Sequence, residues 1–248
     1  MALLVASYGA IEYTMLTKER LEDALRVQAS TMLSENIAIG VGMFEEAGAP
    51  EEMQLVFREV VKDGISIIAV DTSTGEVVGV GFNKIHIPLK DGEEDALASF
   101  VENNIKHRSC HELINFLNDI ESKVNFFERY NADAVMEIFY IATDSRYRGR
   151  GIGSRLMESC LEVGKKLQSG EIKKVLMSEE IVYECAVPKA AFAVCTTNFT
   201  HRIAEKLNFE ALAEVRYMDC TIKGRKLSER IDNNHEKEDA WYINIRHC

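Results

Sequence analysis

The stretch AVMEIFYIATDSRYRGRGIGSRLMESCLEVGKKL, residues 134–167, constrains the fold more than any other part of the chain. An apolar run leads through a short polar turn into Arg148-Gly149-Arg150-Gly151-Ile152-Gly153. A helix-period pattern carrying Leu156, Leu161 and Leu167 follows. That order reads as a strand, a glycine-rich turn and a helix. Glycines tolerate unusual dihedrals and let a ligand approach the main chain closely. The unpaired N–H groups of the helix start, its dipole and two arginines suit a phosphate or pyrophosphate. Without an anion, two arginines beside such a helix end cost stability.

Spacing discriminates among phosphorylated cofactors. A dinucleotide loop reads Gly-x-Gly-x-x-Gly near the start of the fold, with an acidic residue about twenty positions on. A Walker loop needs Gly-Lys-Ser/Thr, which is absent. Arg148, Gly151 and Gly153 instead follow Arg-x-x-Gly-x-Gly after an apolar strand. This resembles the acetyl-CoA loop of the GNAT N-acetyltransferase superfamily.

Composition sets bounds. The 248 residues, 46% of them hydrophobic, support a full core. Three prolines and no low-complexity tract argue against a flexible linker, so a single domain over 1–248 is expected. The net charge of -11 disfavours a nucleic-acid partner and fits either a cationic substrate or ordinary solubility charge. The apolar start lacks the basic region of a signal peptide, and no apolar run is long enough to span a membrane. The scattered cysteines (110, 160, 185, 195, 220 and 248) show no metal-ligand spacing and read as reduced thiols. The expectation is a cytoplasmic monomer with no metal and no membrane partner.

Along the chain, a first strand is expected over Ile11–Leu16, and a helix from an N-cap at Thr17 to about Leu33. A loop covers Ser34–Gly48, and Ala49–Lys62 is a second helix. Strands Ile65–Val70 and Glu76–Ile87 flank a hairpin turn. Glu93–Tyr130 is helical with a break near His107–Cys110. Strand Ala134–Thr143 and helix Gly151–Gln168 flank the glycine loop. Glu171–Glu184 fits helix and strand equally. Strand Ala190–Cys195, helix Phe199–Leu207, strand Glu210–Cys220, a charged loop over Thr221–Lys237 and strand Ala240–Ile245 complete the chain. This is an α/β pattern.

The element order matches the GNAT fold over essentially the whole chain, and within it resembles the insect arylalkylamine N-acetyltransferases. The carriers are IATDSRYRGRGIGSRLM (141–157), DGISIIAVDTSTGEVVGVGFNKI (63–85) and CTTNFTHRIAEKLNFE (195–210). The chain departs from that family in reading Glu35-Asn36-Ile37 for Glu-Pro-Leu, Thr196, Thr197 and Thr200 for serines, and Asn208 for glycine. Ala204 stands where many members place a tyrosine general acid.

The resemblance implies a mixed, mostly antiparallel sheet flanked by helices, with Ala134–Thr143 and Ala190–Cys195 splayed around acetyl-CoA. It places pantetheine amides on Ile141 and Thr143, an oxyanion-stabilising N–H near Ala142, and pyrophosphate on Arg148, Gly149, Arg150, Gly151, Ile152, Gly153 and Ser154. It places the general base at Glu35, with Glu45 and Glu46 as competitors on the same loop. Thr196 and Thr200 are implied at the departing thiolate, Thr196 equally as a helix N-cap. The expected substrate is a small primary amine, either an arylalkylamine or an aliphatic polyamine or agmatine-like cation. A longer acyl-CoA, or CoA binding without turnover, are the other readings. His107 and His111 share a helix face without a third ligand, and His86 reads as structural or channel-facing. Trp241 and Phe126–Phe127 read as core, and Tyr183 could line a pocket.

Overall fold

The computed structural model describes residues 3–90, 92–182 and 186–231, and the backbone of 240–247. Its elements run β1 (Leu4–Tyr8), β2 (Ile11–Met15), α1 (Leu21–Met32), α2 (Asn36–Gly40), α3 (Ala49–Val60), β3 (Ile67–Asp71) and β4 (Val77–His86). Then come α4 (Ala96–Asn104), α5 (Arg108–Glu121), α6 (Phe126–Tyr130), β5 (Val135–Thr143) and α7 (Ile152–Ser169). The short strands β6 (Lys174–Val175) and β7 (Ile181–Val182) precede β8 (Ala190–Cys195), α8 (Asn198–Lys206) and β9 (Glu210–Arg216). The short pair β10 (Thr221–Ile222) and β11 (Arg225–Lys226), α9 (Leu227–Arg230) and β12 (Ala240–His247) end the chain.

Eight strands form one sheet in the order β1-β2-β3-β4-β5-β8-β12-β9. Every neighbouring pair is antiparallel except β5 and β8. One face buries Leu25, Val56, Phe57 and Phe82 under α1, α3 and α5. The other buries Met136, Ile138, Leu156 and Cys160 under α7. Helix α7 lies close on β4 because Gly79 and Gly81 carry no side chain there. A Cβ would stand 2.9 Å from Leu156 Cδ1 at Gly79 and 2.8 Å from Cys160 Sγ at Gly81.

Two irregularities make the site. The parallel pairing of β5 with β8 lasts only from Val135–Ala190 to Glu137–Phe192. Beyond it the strands part. Against β4 the register of β5 slips between Ile138 and Tyr140, leaving Phe139 as an extra residue. Such a bulge bends the strand and turns two successive side chains the same way. Phe139 and Tyr140 both pack on Phe57, with ring centroids 5.8 and 5.0 Å away.

Several local expectations need correcting. A strand, β1, precedes the expected first one; it is a half-exposed edge whose composition carries no alternation. Thr17 does not cap the first helix, which begins a turn later with Arg20 held to Asp23 at 3.0 Å. The expected 34–48 loop contains α2. The ambiguous 171–184 segment includes the β6–β7 pair, tied to α3's end by Met177 N–H donating to Lys62 O at 3.1 Å. The expected 221–237 loop begins with β10, β11 and α9. Tyr183 and the Trp241 side chain lie outside the described residues.

Candidate active site

One cavity of about 1490 Å3 is lined by the open edges of β5 and β8, the glycine loop, and residues of α1, α3, α4 and α5. Its glycine-loop end is built from main chain. Ile152, Gly153 and Ser154 open α7, where helical geometry leaves N–H groups without partners. Gly149 and Gly151 sit at φ +76° and +78°, in the left-handed region, which curls the loop over the helix start. A Cβ on either meets nothing within 4 Å, so the space above them is open. Below, buried Tyr147 pins the loop by donating its hydroxyl to Asp71 at 3.0 Å.

Arg148 lies across the cavity, donating to Ser34 Oγ at 3.2 Å and Thr143 O at 3.4 Å. Arg150 departs from expectation. It does not line the cavity; its guanidinium stacks 4.8 Å from the Tyr147 ring centre and donates to Arg146 O at 3.3 Å. Gly149, Gly151, Ile152, Gly153 and Ser154 line the cavity as expected.

The phase of the β4–β5 ladder decides which backbone groups face the gap. Asp144 N–H donates to Val78 O at 2.9 Å. Antiparallel pairs alternate between bonded and non-bonded, so Ala142 opposite Val80 also spends its groups on β4. Ile141 and Thr143 turn theirs toward the gap. Of the groups expected near Ala142, those of Ile141 and Thr143 face the gap, while Ala142's own N–H is spent on β4. Motif spacing locates the segment but not its phase.

Across the gap stands Glu35. It is the N-cap of α2, with Oε2 accepting from Ala38 N–H at 2.7 Å. Its Oε1 is buried without a hydrogen-bond partner. Burial pushes its carboxyl above the usual range, opposed by the Ala38 N–H and the nearby Thr196 side chain. The hydroxyl of Tyr140, held up by burial and by the Glu35 charge, sits 3.0 Å from Thr31 Oγ1.

Thr197, not Thr196, caps α8, accepting from Thr200 N–H at 3.2 Å. That frees Thr196 from the capping role. Thr200 lines the cavity, but its hydroxyl donates back to Thr197 O at 2.9 Å. Ala204 is fully buried.

The competing carboxylates fall away. Neither Glu45 nor Glu46 lines the cavity. Glu46 accepts from Ser109 N–H at 2.9 Å and Ser109 Oγ at 2.7 Å, capping α5, which holds its carboxyl down at about 2. His107 pairs with Glu52 at 2.8 Å and His111 lies 2.9 Å from Ile105 O. Among the described residues no three His, Cys, Asp or Glu side chains gather as a metal site, and no helix is long and apolar enough to cross a membrane.

Residues distant in sequence hold α2 in place. Leu227 fills the space beside Gly40, where a Cβ would stand 2.0 Å from Leu227 Cδ1. Lys223 donates to Val41 O at 2.8 Å and Arg230 to Gly40 O. Tyr217, buried, donates to Thr196 O and accepts from Asn36 Nδ2 at 3.4 Å. These bracing residues carry no sequence signal, since their roles exist only through tertiary contact.

Strands that part after a short parallel pairing, a glycine loop opening the next helix, and a buried carboxylate facing the gap are the architecture of an acyltransferase. Residues 42–182, more than half of the chain, match the Acetyltransferase (GNAT) family, and the chain belongs to it. The fold is similar to arylalkylamine N-acetyltransferase 2 from Aedes aegypti (TM-score 0.72, 19% identity, 96% of this chain and 99% of that one). It is also similar to a putative arylalkylamine N-acetyltransferase 7 from the yellow fever mosquito (TM-score 0.67, 17% identity, 99% and 92%). A third is the Drosophila melanogaster polyamine N-acetyltransferase that forms N-acetylagmatine (TM-score 0.65, 16% identity, 96% and 100%). At these identities the likeness establishes the fold. No curated protein matches the chain by sequence.

Proposed function

We propose that the chain transfers the acetyl group of acetyl-CoA to the primary amine of a small molecule by direct attack. The observation that carries this reading is Glu35, a carboxylate with one buried, unpartnered oxygen, lining the same cavity as the glycine loop and the open edge of β5. The loop residues fit a CoA pyrophosphate, because the space over Gly149 and Gly151 is open and the N–H groups of Ile152–Ser154 face an anion. The gap-facing groups of Ile141 and Thr143 suit pantetheine amides as an added strand would.

The amine arrives as an ammonium and must lose a proton before it attacks. Glu35, directly or through water, accepts it. Its raised pKa makes it a better proton acceptor than an ordinary surface carboxylate. A gap-facing β5 N–H stabilises charge developing on the thioester oxygen. As the tetrahedral adduct collapses, the C–S bond breaks and the thiolate takes a proton. Thr196 and Thr200 supply hydroxyls on that side, Thr200 after turning from its bond to Thr197.

The apolar wall, with Val56, Phe57, Leu117 and Phe139, accommodates the body of an arylalkylamine. An aliphatic polyamine or agmatine-like cation is the second reading, favoured by carboxylates in the same wall. Release of CoA thiol over a panel of amines and acyl-CoAs, for wild type and Glu35→Gln, tests the proposal. Acetyl-dependent turnover lost in the variant is expected. CoA binding with no turnover of any amine would leave a binding module instead.

A further inference from the structure

We infer that the Tyr140 hydroxyl holds the acceptor's nitrogen beside Glu35, taking one N–H of the amine as a hydrogen bond while Glu35 removes another proton. The inference rests on the acetyltransferase reading above and adds a catalytic residue to that same site.

Tyr140 belongs to no motif; in sequence it is one more residue of an apolar strand. At the β5 bulge its ring packs edge-on to Phe57, 5.0 Å between ring centres, and stacks with Phe82 at 6.3 Å. Those contacts require a ring and not a hydroxyl. The oxygen is an added polar group in an apolar wall, so its hydrogen bonds have to be accounted for. Among the described residues its one hydrogen-bond partner is Thr31 Oγ1, 3.0 Å away.

Thr31 decides the direction of that bond. Its hydroxyl has a single proton, and two carbonyls of its own helix lie in reach, Val27 O at 2.8 Å and Gln28 O at 3.0 Å. A helical threonine gives its proton back to such a carbonyl. Tyr140 therefore donates to Thr31, and burial keeps the phenol protonated. A hydroxyl whose proton is spent has only lone pairs to offer. Tyr140 thus lines the cavity as an acceptor.

That acceptor stands near the base. Ser34 N–H donates to Thr31 O at 3.1 Å and Glu35 N–H to Met32 O at 3.0 Å, so the helical path of α1 carries on to Glu35. Residues four apart on such a path lie one above the other, about 5–6 Å between Cβ atoms. Thr31, Glu35 and Tyr140 all line the cavity, and Glu35 Oε1 has no hydrogen-bond partner among the described residues. The charged groups facing this corner are Glu35 and Arg148, the latter held on Ser34 Oγ at 3.2 Å. Two unspent acceptors in one wall suit a group that has several N–H donors and accepts nothing, which is a primary ammonium. Desolvating that group without such partners is costly.

The three N–H bonds of the ammonium serve in turn. One breaks to Glu35, and its electron pair stays on nitrogen as the nucleophile. Tyr140 keeps its own proton and holds a second N–H, which fixes the direction of the new lone pair. After attack the adduct's nitrogen loses one more proton, matching the one the departing thiolate gains. The last N–H remains in the amide.

The test uses Tyr140→Phe, which keeps the ring and deletes the acceptor, and Thr31→Val, which deletes the group that takes the Tyr140 proton. Each is assayed with whichever of phenethylamine and agmatine wild type acetylates faster, alongside calorimetry of CoA binding. Tyr140→Phe is expected to lower kcat/KM for the amine about tenfold, the worth of a hydrogen bond to a charged group, with CoA affinity and the acidic limb of the pH–rate profile unmoved. In Thr31→Val the freed Tyr140 proton turns to the Glu35 carboxylate and favours its ionised form, so the acidic limb should move to lower pH. Thr31→Ser should keep the limb at the wild-type position. Three results for Tyr140→Phe overturn the inference: a fall under about threefold, an equal loss of CoA affinity, or an acidic limb moved to higher pH, which would make Tyr140 a donor to Glu35. If Tyr140→Phe does not fold, an unmoved limb in Thr31→Val overturns it. Activity lost in Glu35→Gln but kept in Tyr140→Phe removes Tyr140 alone, whereas no turnover by wild type removes the acetyltransferase reading and this inference with it.

Discussion

The two ends of the cavity are built by opposite means. The glycine-loop end is one contiguous segment, Thr143 to Ser154, that presents backbone N–H groups placed by two left-handed glycines and a helix start. The opposite end is assembled from side chains of α1, α3, α4, α5, α8 and the β4 and β5 strands. Local backbone chemistry leaves a motif, because the dihedral demands fall on consecutive residues. Side chains gathered from distant elements leave none.

The largest expected effect sits where the two ends meet. Glu35→Gln preserves shape and should lower kcat/KM by about a hundredfold or more, as for loss of a general base. The acidic limb of the pH–rate profile should vanish with it. The folded-state pKa of Glu35 is raised, so the protonated form is the one the fold favours. The stability linked to this group is present below the unfolded carboxylate pKa and is lost as pH rises through the folded one. Melting curves of Glu35→Gln should therefore gain on wild type more at neutral pH than at pH 4. A loss of activity under about threefold would make Glu35 a bystander.

Next is the glycine-loop end. Gly153 has an ordinary helical φ, and a Cβ there lies 3.7 Å from Ile203 Cδ1 and Thr143 Oγ1. Gly153→Val should fold and crowd the cradle. Overpacking of about 1–3 kcal/mol corresponds to a rise of about 5- to 150-fold in Kd for CoA, measured by calorimetry. Gly151→Val is a poorer probe, because φ +78° strains any β-branched residue. Unchanged CoA affinity in Gly153→Val, with the fold intact, would contradict the loop assignment.

The threonines follow. Thr200→Val should reduce kcat about tenfold with KM for acetyl-CoA nearly constant, since the hydroxyl matters only as charge builds on sulfur. Thr196→Val removes a group that favours the charged form of Glu35. Its acidic limb should move to higher pH, and a limb unmoved would separate Thr196 from the base.

The smallest effect is expected at the brace. Tyr217→Phe deletes the hydroxyl shared by Thr196 O and Asn36. One such hydrogen bond is worth about 1 kcal/mol, so kcat should fall about fivefold while CoA affinity holds. Equal losses in both would mean that Tyr217 supports the fold as a whole.

Read alone, the sequence determined the α/β order, the strand–loop–helix at 134–167, the family, the position of the glycine loop and Glu35 as the carboxylate to watch. These follow from short-range rules: periodicity, glycine dihedrals and the spacing of a motif whose residues act together. Tertiary structure decided the rest. It turned Ala142 toward β4, moved the α8 cap to Thr197, stacked Arg150 on Tyr147 and committed Glu46 to α5. It set α2 against Leu227 and Tyr217, and brought His86 within 2.7 Å of Glu137. Each of those outcomes depends on ladder phase or on contacts between elements far apart in the chain. Such contacts arise only when the elements pack, so no local pattern of residue types encodes them.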